Sequence, residues 1–293
     1  MHIPVLKDEV LEYLDPRENE NFIDCTAGEG GHTFAILERT APNGKVLAID
    51  KDVRNIGLIK ARANEEGLNN RIITQEGNYA DIDKIIEKEG FNNVSGFLFD
   101  LGLSSWHIDE SGRGFSFRKD EPLDMRYHSG DGVTAWEIVN SWPPKEIELI
   151  LREFGEERFA ERITKAIISR RKVRKIDTSS DLAEVISDNI PKTKRIHPAT
   201  QTFQALRMVV NSELENIEKV LPLALENLER DGRMAIIYFH SLEDRLIKRF
   251  FRKMAAEGRV RILTKRPVVP SEEEIKNNSR SRTAKLRVLI KIR

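Results

Sequence analysis

The sequence predicts an α/β fold in which a doubly wound, mainly parallel sheet is interrupted by a mostly helical insertion. Short β-rich runs alternate with helical patterns from Phe22 to Asp100, and a glycine-rich segment directly follows the first run. The strand pattern stops at Leu103 and returns only at Arg233. A chain of 293 residues with 39% hydrophobic content is long enough for one large domain that carries a substantial insert.

Strands and helices alternate in the first part of the chain. In order they are FIDC, a helix near 31–39, KVLAID, a helix near 53–66, RIITQE, a helix near 82–89, and GFLFD. Parallel sheets of this kind bind ligands beyond the carboxyl ends of their strands, where the strand order reverses. Because Asp24, Asp50 and Asp100 stand at or next to strand ends, we expect three carboxylates to converge on one rim of the sheet.

The insertion is predicted to span residues 104–208. Its first part is rich in Gly, Ser, Asp and Pro, and its pattern is purely helical from Pro144 to about Ile190. The α/β domain would therefore consist of residues 1–103 and 209–293.

After the insertion the α/β domain is predicted to resume with an amphipathic helix over 212–228, a turn at Asp231-Gly232 and the strand RMAIIYF. A further helix follows near 243–255. The last two β-like runs, RVRILT and AKLRVLIKI, are expected to complete the sheet as an antiparallel edge.

Composition excludes several classes of protein. The 48 basic and 48 acidic residues cancel, so a globally basic nucleic-acid binder is not indicated, although a local basic face is compatible with this balance. No apolar run approaches the roughly 18 residues of a membrane-spanning helix, and the start MHIPVLKDEV has no basic leader. We therefore expect a cytoplasmic protein without a membrane partner. The single cysteine, Cys25, excludes an internal disulfide and is interpreted as a packing residue among acidic neighbours.

The loop Gly28-Glu29-Gly30-Gly31 between a strand and a helix is typical of nucleotide-binding folds. Glycine admits left-handed backbone conformations and lets a ligand approach the helix N-terminus. The dinucleotide pattern G-x-G-x-x-G is only partly met, because its sixth position is Thr33. Asp50 at the end of the next strand can accept hydrogen bonds from both hydroxyls of a ribose.

Charge separates the two adenosine cofactors that this pattern fits. The loop region carries Asp24 and Glu29 and has no Lys or Arg before Arg39, whereas the pyrophosphate of NAD would favour nearby cations. The sulfonium and amino groups of S-adenosylmethionine suit acidic surroundings, so this cofactor is the better fit. The alternatives are an NAD-dependent oxidoreductase, a glycine-rich turn without a ligand and, for Asp50, the role of a helix N-cap.

Longer stretches resemble a known family. They are DCTAGEGGHT, GNYADI, FDLGLSS, RGFSFRKDEPLDMR, GEERFAERITKAI, HPATQTFQALRMVVNSELE and FHSLEDRLIKRFF. Together they resemble the bacterial cytosine-N4 methyltransferases of small-subunit ribosomal RNA, the MraW group, over nearly the whole chain. The resemblance implies a Rossmann-like class I methyltransferase sheet, S-adenosylmethionine as cofactor, and methylation of N4 of one cytidine in the decoding region of 16S rRNA. It leaves open whether a metal assists and whether the enzyme forms a homodimer.

The resemblance also implies a set of cofactor contacts. Residue by residue, they fall on Gly30, Gly31, His32, Asp50, Tyr79, Asp100 and His107. The glycines and His32 would face the methionine portion of the cofactor, Asp50 the ribose, and Tyr79 the adenine. His107 departs from the glutamine of many family members.

The catalytic proton acceptor is predicted to be Asp100. Methylation of an exocyclic cytosine amine requires an acceptor near N4, and many amino-methyltransferases supply it with an Asp/Asn/Ser-Pro-Pro-aromatic motif after the fourth strand. This chain has Asp100-Leu101-Gly102-Leu103 there, so Asp100 is the candidate, with the cofactor's amino group as its alternative partner. His240, after the fifth strand, would contact the target base or orient Asp100. Ser241 and Asp244 are predicted to form a capping pair.

The insertion is predicted to recognise the substrate. It interleaves cations and aromatic residues, a mixture that can hold phosphates and stack a flipped base: Arg113, Phe115, Phe117, Arg118, Asp124 and Arg126. The alternative is a loop held by Phe packing and Arg–Asp pairs. Three basic segments suggest a track for RNA phosphates, namely 169–175, 192–197 and the tail from Lys276 onward. A non-enzymatic RNA-binding or assembly factor is the remaining alternative.

Overall fold

Seven strands form one mixed sheet in the computed structural model of the chain, which describes residues 4–128, 130, 132–191 and 197–293. The strands are β1 (Asn21–Asp24), β2 (Val46–Asp50), β3 (Ile72–Glu76), β4 (Val94–Asp100), β5 (Leu228–Tyr238), β6 (Val260–Ile262) and β7 (Lys285–Lys291). Their order across the sheet is β3-β2-β1-β4-β5-β7-β6. Strands β1 to β5 are parallel, and β7 is antiparallel to both β5 and β6. The predicted Rossmann-like class and its antiparallel edge are confirmed.

The strand order reverses between β1 and β4. The chain moves outward from β1 to β3 and then crosses back to β4 on the other side of β1. Because these strands are parallel, the ends Asp24, Asp50 and Asp100 lie on the same edge of the sheet, as predicted. This edge is called the carboxylate rim below.

Thirteen helices are described. They are α1 (Lys7–Leu14), α2 (Gly31–Arg39), α3 (Val53–Glu65), α4 (Ile82–Glu89), α5 (Ser105–Asp109), α6 (Ala135–Ser141), α7 (Pro144–Glu153), α8 (Ala160–Val173), α9 (Ser179–Asn189), α10 (Thr200–Val210), α11 (Glu213–Asn227), α12 (Ser241–Ala256) and α13 (Glu272–Asn277). Helices α2 and α4 have the predicted bounds, and α3 ends one residue earlier than predicted. Among the residues described, no helix is both long and apolar enough to cross a membrane.

The central strands are buried on both faces. Along β4, Phe97 and Phe99 belong to one hydrophobic cluster while Leu98 belongs to another, because successive side chains point to opposite faces. Such double burial is typical of parallel sheets covered by helices, and it explains the continuous apolar run in GFLFD. Cys25 lies in the first of these clusters, where burial raises the pKa of its thiol, so the predicted packing role is confirmed.

The chain divides into two compact units. One consists of Met1–Gly102 and Leu214–Arg293 and contains the sheet; the other is Leu103–Glu213 and contains helices α5 to α10. The second unit has a hydrophobic core of its own, with fully buried residues such as Ile138, Leu151 and Ile163.

The predicted turn at Asp231-Gly232 lies inside strand β5. Val94 pairs with Leu228 and Gly96 already pairs with Arg233, so the segment between them bulges out of the ladder. Asp231 has a left-handed backbone with φ of 64°, which accounts for the turn-like pattern in the sequence. The strand therefore begins five residues earlier than predicted and carries an irregularity in place of a turn.

Candidate active site

The glycine loop after β1 is shaped by its own packing. Gly28 and Gly30 have left-handed backbones, with φ of 52° and 86°. A Cβ on Gly30 would lie 2.8 Å from Cε2 of Phe34 and 3.1 Å from Cγ1 of Ile59. A Cβ on Gly31 would lie 3.1 Å from the ring of Pro4. The packing of the loop itself therefore favours glycine at these positions, in addition to the access that a ligand needs.

A Gly30→Ala substitution is expected to lower the free energy of unfolding by about 1–3 kcal/mol. The left-handed backbone costs an alanine roughly 1–2 kcal/mol, and the methyl group must also displace the Phe34 ring. The measurement is urea unfolding of the purified protein. Gly57→Ala is the matched control, because a Cβ there meets no atom within 4 Å inside α3, and it should be stabilising. Equal effects of the two substitutions would contradict the account.

Asp50 joins the glycine loop to the next helix. Its Oδ2 accepts a hydrogen bond from the Gly28 amide at 2.8 Å, and its Oδ1 accepts one from the Asp52 amide at 2.8 Å. Burial raises the pKa of Asp50, while these two amides and Asn55 oppose the rise. The alternative that Asp50 is the helix N-cap is wrong. Asp52 occupies that position in α3 and accepts from the Arg54 amide at 2.9 Å.

Thr33 is the partner of the buried Asp24. Its hydroxyl donates to Oδ2 of Asp24 at 2.6 Å, and the Thr26 amide donates to Oδ1 at 3.2 Å. Burial raises the pKa of Asp24 to about 6, with the charge of Asp50 adding to the rise. Thr33, the residue that departs from the dinucleotide pattern, therefore donates a hydrogen bond to a buried carboxylate. The missing third glycine indicated a departure, but it did not reveal this pair.

Asp100 is the third carboxyl of the rim. Burial raises its pKa to about 7, and the charges of Asp24 and Glu243 add to the rise, against a hydrogen bond from the Gly102 amide. Its own amide donates to the Thr26 hydroxyl at 2.6 Å. Its Oδ1 is buried and has no hydrogen-bond partner within the described part of the chain. An oxygen of this kind is available to a cation or to a proton donor.

The raised pKa predicts how stability depends on pH. Between its ordinary value of 3.8 and about 7, the folded state holds a proton on Asp100 that the unfolded state has released. The stabilisation is therefore fully present below about pH 4 and is lost as the pH rises through about 7. An Asp100→Asn variant should consequently gain stability relative to the parent as the pH rises from 5 to 8, by an amount on the order of a few kcal/mol.

Thermal unfolding of the two proteins across this pH range tests the prediction. Asp231→Asn removes an exposed carboxyl outside the rim and serves as the control. A difference between parent and Asp100→Asn that stays constant with pH would contradict the prediction.

Tyr79 and His32 also lie in the unit that holds the rim. Tyr79 begins a short 3-10 helix that follows β3, and its ring packs edge-on against Phe99, with centroids 6.0 Å apart. The ammonium of Lys51 lies 5.8 Å from the centre of the Tyr79 ring. His32 is buried in the first turn of α2. Tyr79 therefore follows the end of β3 and His32 follows the end of β1, and β2 lies between these two parallel strands.

His240 is the N-cap residue of helix α12, and its ring faces Glu243. Its Nε2 lies 3.1 Å from Oε1 of Glu243, whose other oxygen accepts from the amides of Phe239 at 2.9 Å and His240 at 3.3 Å. The predicted Ser241–Asp244 capping pair is wrong, because the buried Glu243 caps this helix. Asp244 instead accepts from Nε of Arg287 at 2.7 Å. Glu243 had no signal in the sequence beyond its position three residues after His240.

His107 belongs to the second unit. Its Nδ1 lies 2.6 Å from the hydroxyl of Ser104, and its buried ring packs edge-on against Phe115 and Tyr127 at centroid distances of 5.2 and 5.1 Å. Within that unit it is therefore part of an aromatic cluster. Its predicted contact with the cofactor stays a prediction.

The polar residues proposed to hold substrate also organise the loop that contains them. Arg113 donates to the backbone carbonyls of Arg126 and Tyr127 at 3.1 and 2.7 Å. Arg126 donates to both oxygens of Asp124 at 2.8 Å. Although burial alone would raise it, the pKa of Asp124 is held low by the hydrogen bonds and charge of Arg126 and by the charge of Arg113. These contacts favour the alternative of a loop held by Arg–Asp pairs.

The aromatic residues of this loop are packed as well. Phe115 stacks on Tyr127 with ring centroids 5.6 Å apart, and Phe117 stacks on His197 with centroids 4.3 Å apart. Arg118 is exposed to solvent. Of this group, Arg118 is therefore the residue whose side chain faces water for a partner to reach.

Two of the three predicted basic segments have less free charge than the sequence indicates. In 169–175, Arg171 donates to two backbone carbonyls at 2.9 Å. In the tail, Arg287 is buried in β7 and pairs with Asp244. The segment 192–197 lies outside the described residues except for its last position. The contacts of Arg171 and Arg287 oppose a role in a phosphate track.

Comparison with known proteins assigns the chain to a family. The sequence model of the MraW methylase family matches residues 1–292. Ribosomal RNA small subunit methyltransferase H of Heliobacterium mobile is 42% identical over 310 residues, covering 99% of this chain and 99% of that protein. The protein of the same name from Thermosipho melanesiensis is 44% identical over 295 residues, covering 99% of this chain and 98% of its own length. A solved rRNA methylase from Streptococcus thermophilus aligns with a TM-score of 0.46 at 10% identity, over 98% and 94% of the two chains.

These relatives thus match nearly the whole chain, which includes the sheet, the carboxylate rim and the glycine loop. The oxidoreductase alternative is set aside, because the matching family is one of methylases. The chain belongs to the MraW methylase family.

Proposed function

We propose that this chain transfers a methyl group from S-adenosylmethionine to the exocyclic N4 of one cytidine in the decoding region of 16S rRNA, within the small ribosomal subunit. The observation that carries the proposal is Asp100, a carboxyl at the end of β4 with a pKa of about 7 and a buried oxygen without a partner among the described residues. The names of the relatives support ribosomal RNA of the small subunit as the substrate. The resemblance of the longer sequence stretches supports N4 of cytidine.

The residues of the rim suit a cationic cofactor. Asp50 holds the loop through the Gly28 amide and retains lone pairs for ribose hydroxyls. Gly30 and Gly31 bring the backbone and the start of α2 to the methionine portion, and Tyr79 flanks the adenine. Oδ1 of Asp100, which has no hydrogen-bond partner among the residues that the structure describes, matches an ammonium or sulfonium group in its charge. S-adenosylmethionine, when bound, supplies the methyl group.

The chain's own contribution is to position the base and to accept a proton. The lone pair of N4 is delocalised into the cytosine ring, so an acceptor must hold the N4 proton while the amine is alkylated. Asp100 is this acceptor in the proposal. A nearby positive charge favours the ionised form of a carboxyl, so binding of the cofactor would lower the pKa of Asp100 below about 7 and leave the base ready at neutral pH. His240, held by Glu243, contacts the base.

Transfer of labelled methyl groups tests the proposal. The protein is incubated with labelled S-adenosylmethionine and small ribosomal subunits that lack the modification, and the rRNA is then digested to nucleosides. The expected result is label in N4-methylcytidine at one position. Label in any other nucleoside would reject the proposed target. Naked 16S rRNA run in parallel determines whether the assembled subunit is required.

A further inference from the structure

A surface cavity on the second unit is lined mainly by cations. Its volume is about 320 Å³, and its lining consists of Arg152, Arg158, Phe159, Glu161, Arg162 and Lys165. These residues come from α7, from the turn after it and from α8. The lining thus carries four positive side chains and one negative side chain in a protein whose net charge is zero. This set is called the basic cavity below.

Two of the four cations are neutralised by neighbours on their own helices. Arg152 pairs with Glu148 at 2.7 Å, and Lys165 pairs with Glu161 at 2.6 Å, both with i,i+4 spacing. Such exposed pairs contribute little free energy, but they cancel charge locally.

Arg158 and Arg162 supply the surplus charge. Both side chains are exposed, and within the described part of the chain neither forms an ion pair. The guanidinium of Arg158 lies over the ring of Phe159, 4.7 Å from its centre. An arginine stacked on an aromatic ring keeps its N–H groups directed to the sides, where they can bind a phosphate in a bidentate manner.

The turn that carries these residues is held firmly. Glu157 is buried, its carboxylate accepts from the Phe159 amide at 2.8 Å, and its own amide donates to the Leu151 carbonyl at 3.0 Å. Glu156 before it has a left-handed backbone with φ of 48°. Arg158 and Phe159 therefore project from a rigid turn, which lowers the entropic cost of binding a charged partner.

We infer that the basic cavity binds the phosphate backbone of the RNA substrate, with Arg158 and Arg162 as the contacting residues. The inference rests on the proposed function, because it takes ribosomal RNA as the occupant. Guanidinium groups bind phosphates through bidentate hydrogen bonds, and half or more of the hydrogen bonds between proteins and nucleic acids go to phosphates and sugars. The segment GEERFAERITKAI contributes no residue to the proposed cofactor site, and in this inference it supplies most of the lining of the basic cavity.

Binding of small subunits by two matched double variants tests the inference. Arg158→Ala with Arg162→Ala removes two cations from the cavity, and Arg39→Ala with Lys60→Ala removes two exposed cations from α2 and α3. We expect the first variant to raise the Kd for unmodified subunits on the order of 10-fold and to reduce the slope of log Kd against log salt by about 2. The control should change the Kd by less than about 3-fold.

Further measurements separate this inference from its alternatives. Arg158→Lys with Arg162→Lys keeps both charges but loses the bidentate geometry, so we expect it to keep the parent's salt dependence and to raise the Kd less than the alanine variant does. Loss of affinity together with a lowered Tm would indicate a structural role and overturn the inference. The affinity for S-adenosylmethionine should be unchanged in every variant. In the methyl-transfer assay the alanine variant should raise KM for subunits with little change in kcat. If the parent protein methylates subunits and the alanine variant matches it in Kd and KM, the inference fails; if the parent transfers no methyl group, the proposed function fails.

Discussion

Replacing Asp100 with Asn is expected to reduce kcat for methyl transfer by roughly 10²- to 10⁴-fold, the range that general base catalysis contributes. The amide has nearly the same shape as the carboxylate but cannot take a proton from N4. In the parent, the rate should rise with pH and level off at or below about pH 7, because the ionised form of Asp100 is the active one. The variant should lack this rise. Steady-state kinetics from pH 5 to 9 measure both effects.

The affinity of the Asp100→Asn variant for the cofactor distinguishes the two candidate roles of Asp100. If it accepts the proton from N4, the Kd for S-adenosylmethionine measured by calorimetry should change much less than kcat. If it holds the cofactor's amino group, the Kd should rise while kcat at saturation falls little. An Asp100→Asn variant with parental kcat, Kd and pH profile would exclude both roles.

Replacing Asp50 with Ala is expected to raise the Kd for S-adenosylmethionine by roughly 10- to 100-fold, because hydrogen bonds to a charged group are each worth about 1.5–3 kcal/mol. The same change leaves the amides of Gly28 and Asp52 without their acceptor. The free energy of unfolding should therefore also fall, by about 1–3 kcal/mol. Calorimetric titration and urea unfolding measure the two effects.

Asp52→Ala is the matched control, since Asp52 stands two positions later and its Oδ1 accepts from the Arg54 amide at the start of α3. Loss of this N-cap should cost about 1 kcal/mol of stability and change the Kd for the cofactor by less than a factor of about 3. If both substitutions weaken cofactor binding equally, Asp50 acts through the helix and not through the ribose.

The order of strands and helices in the first 100 residues could be predicted because it depends on local periodicity. Helices α2 and α4 have the predicted bounds, and each strand ends near the carboxylate that marked it. Parallel pairing then places those carboxylates on one edge, whatever the details of packing. The antiparallel edge of β6 and β7 was predictable for a related reason, because two short β-rich runs at the end of the chain had to find partners in an existing sheet.

Predictions for single polar side chains were less successful. Nearby acidic residues are equivalent in sequence, so the alternative of an N-cap was attached to Asp50 and not to Asp52, and the capping pair of α12 was predicted as Ser241 and Asp244 without Glu243. Which of two nearby carboxylates caps a helix depends on whether the other one already accepts a hydrogen bond elsewhere. Asp50 is engaged by the Gly28 amide, and Asp244 by Arg287, 43 residues away along the chain.

The sequence by itself determined the fold class, the strand-end carboxylates, the glycine loop and the family resemblance, because each depends on the order and spacing of residues along the chain. Only the tertiary structure decided the pKa of Asp100, the pairing of Thr33 with Asp24 and the internal contacts of Arg113, Arg126 and Arg287. Burial and distance govern these properties, and both arise when segments far apart in the chain are brought together.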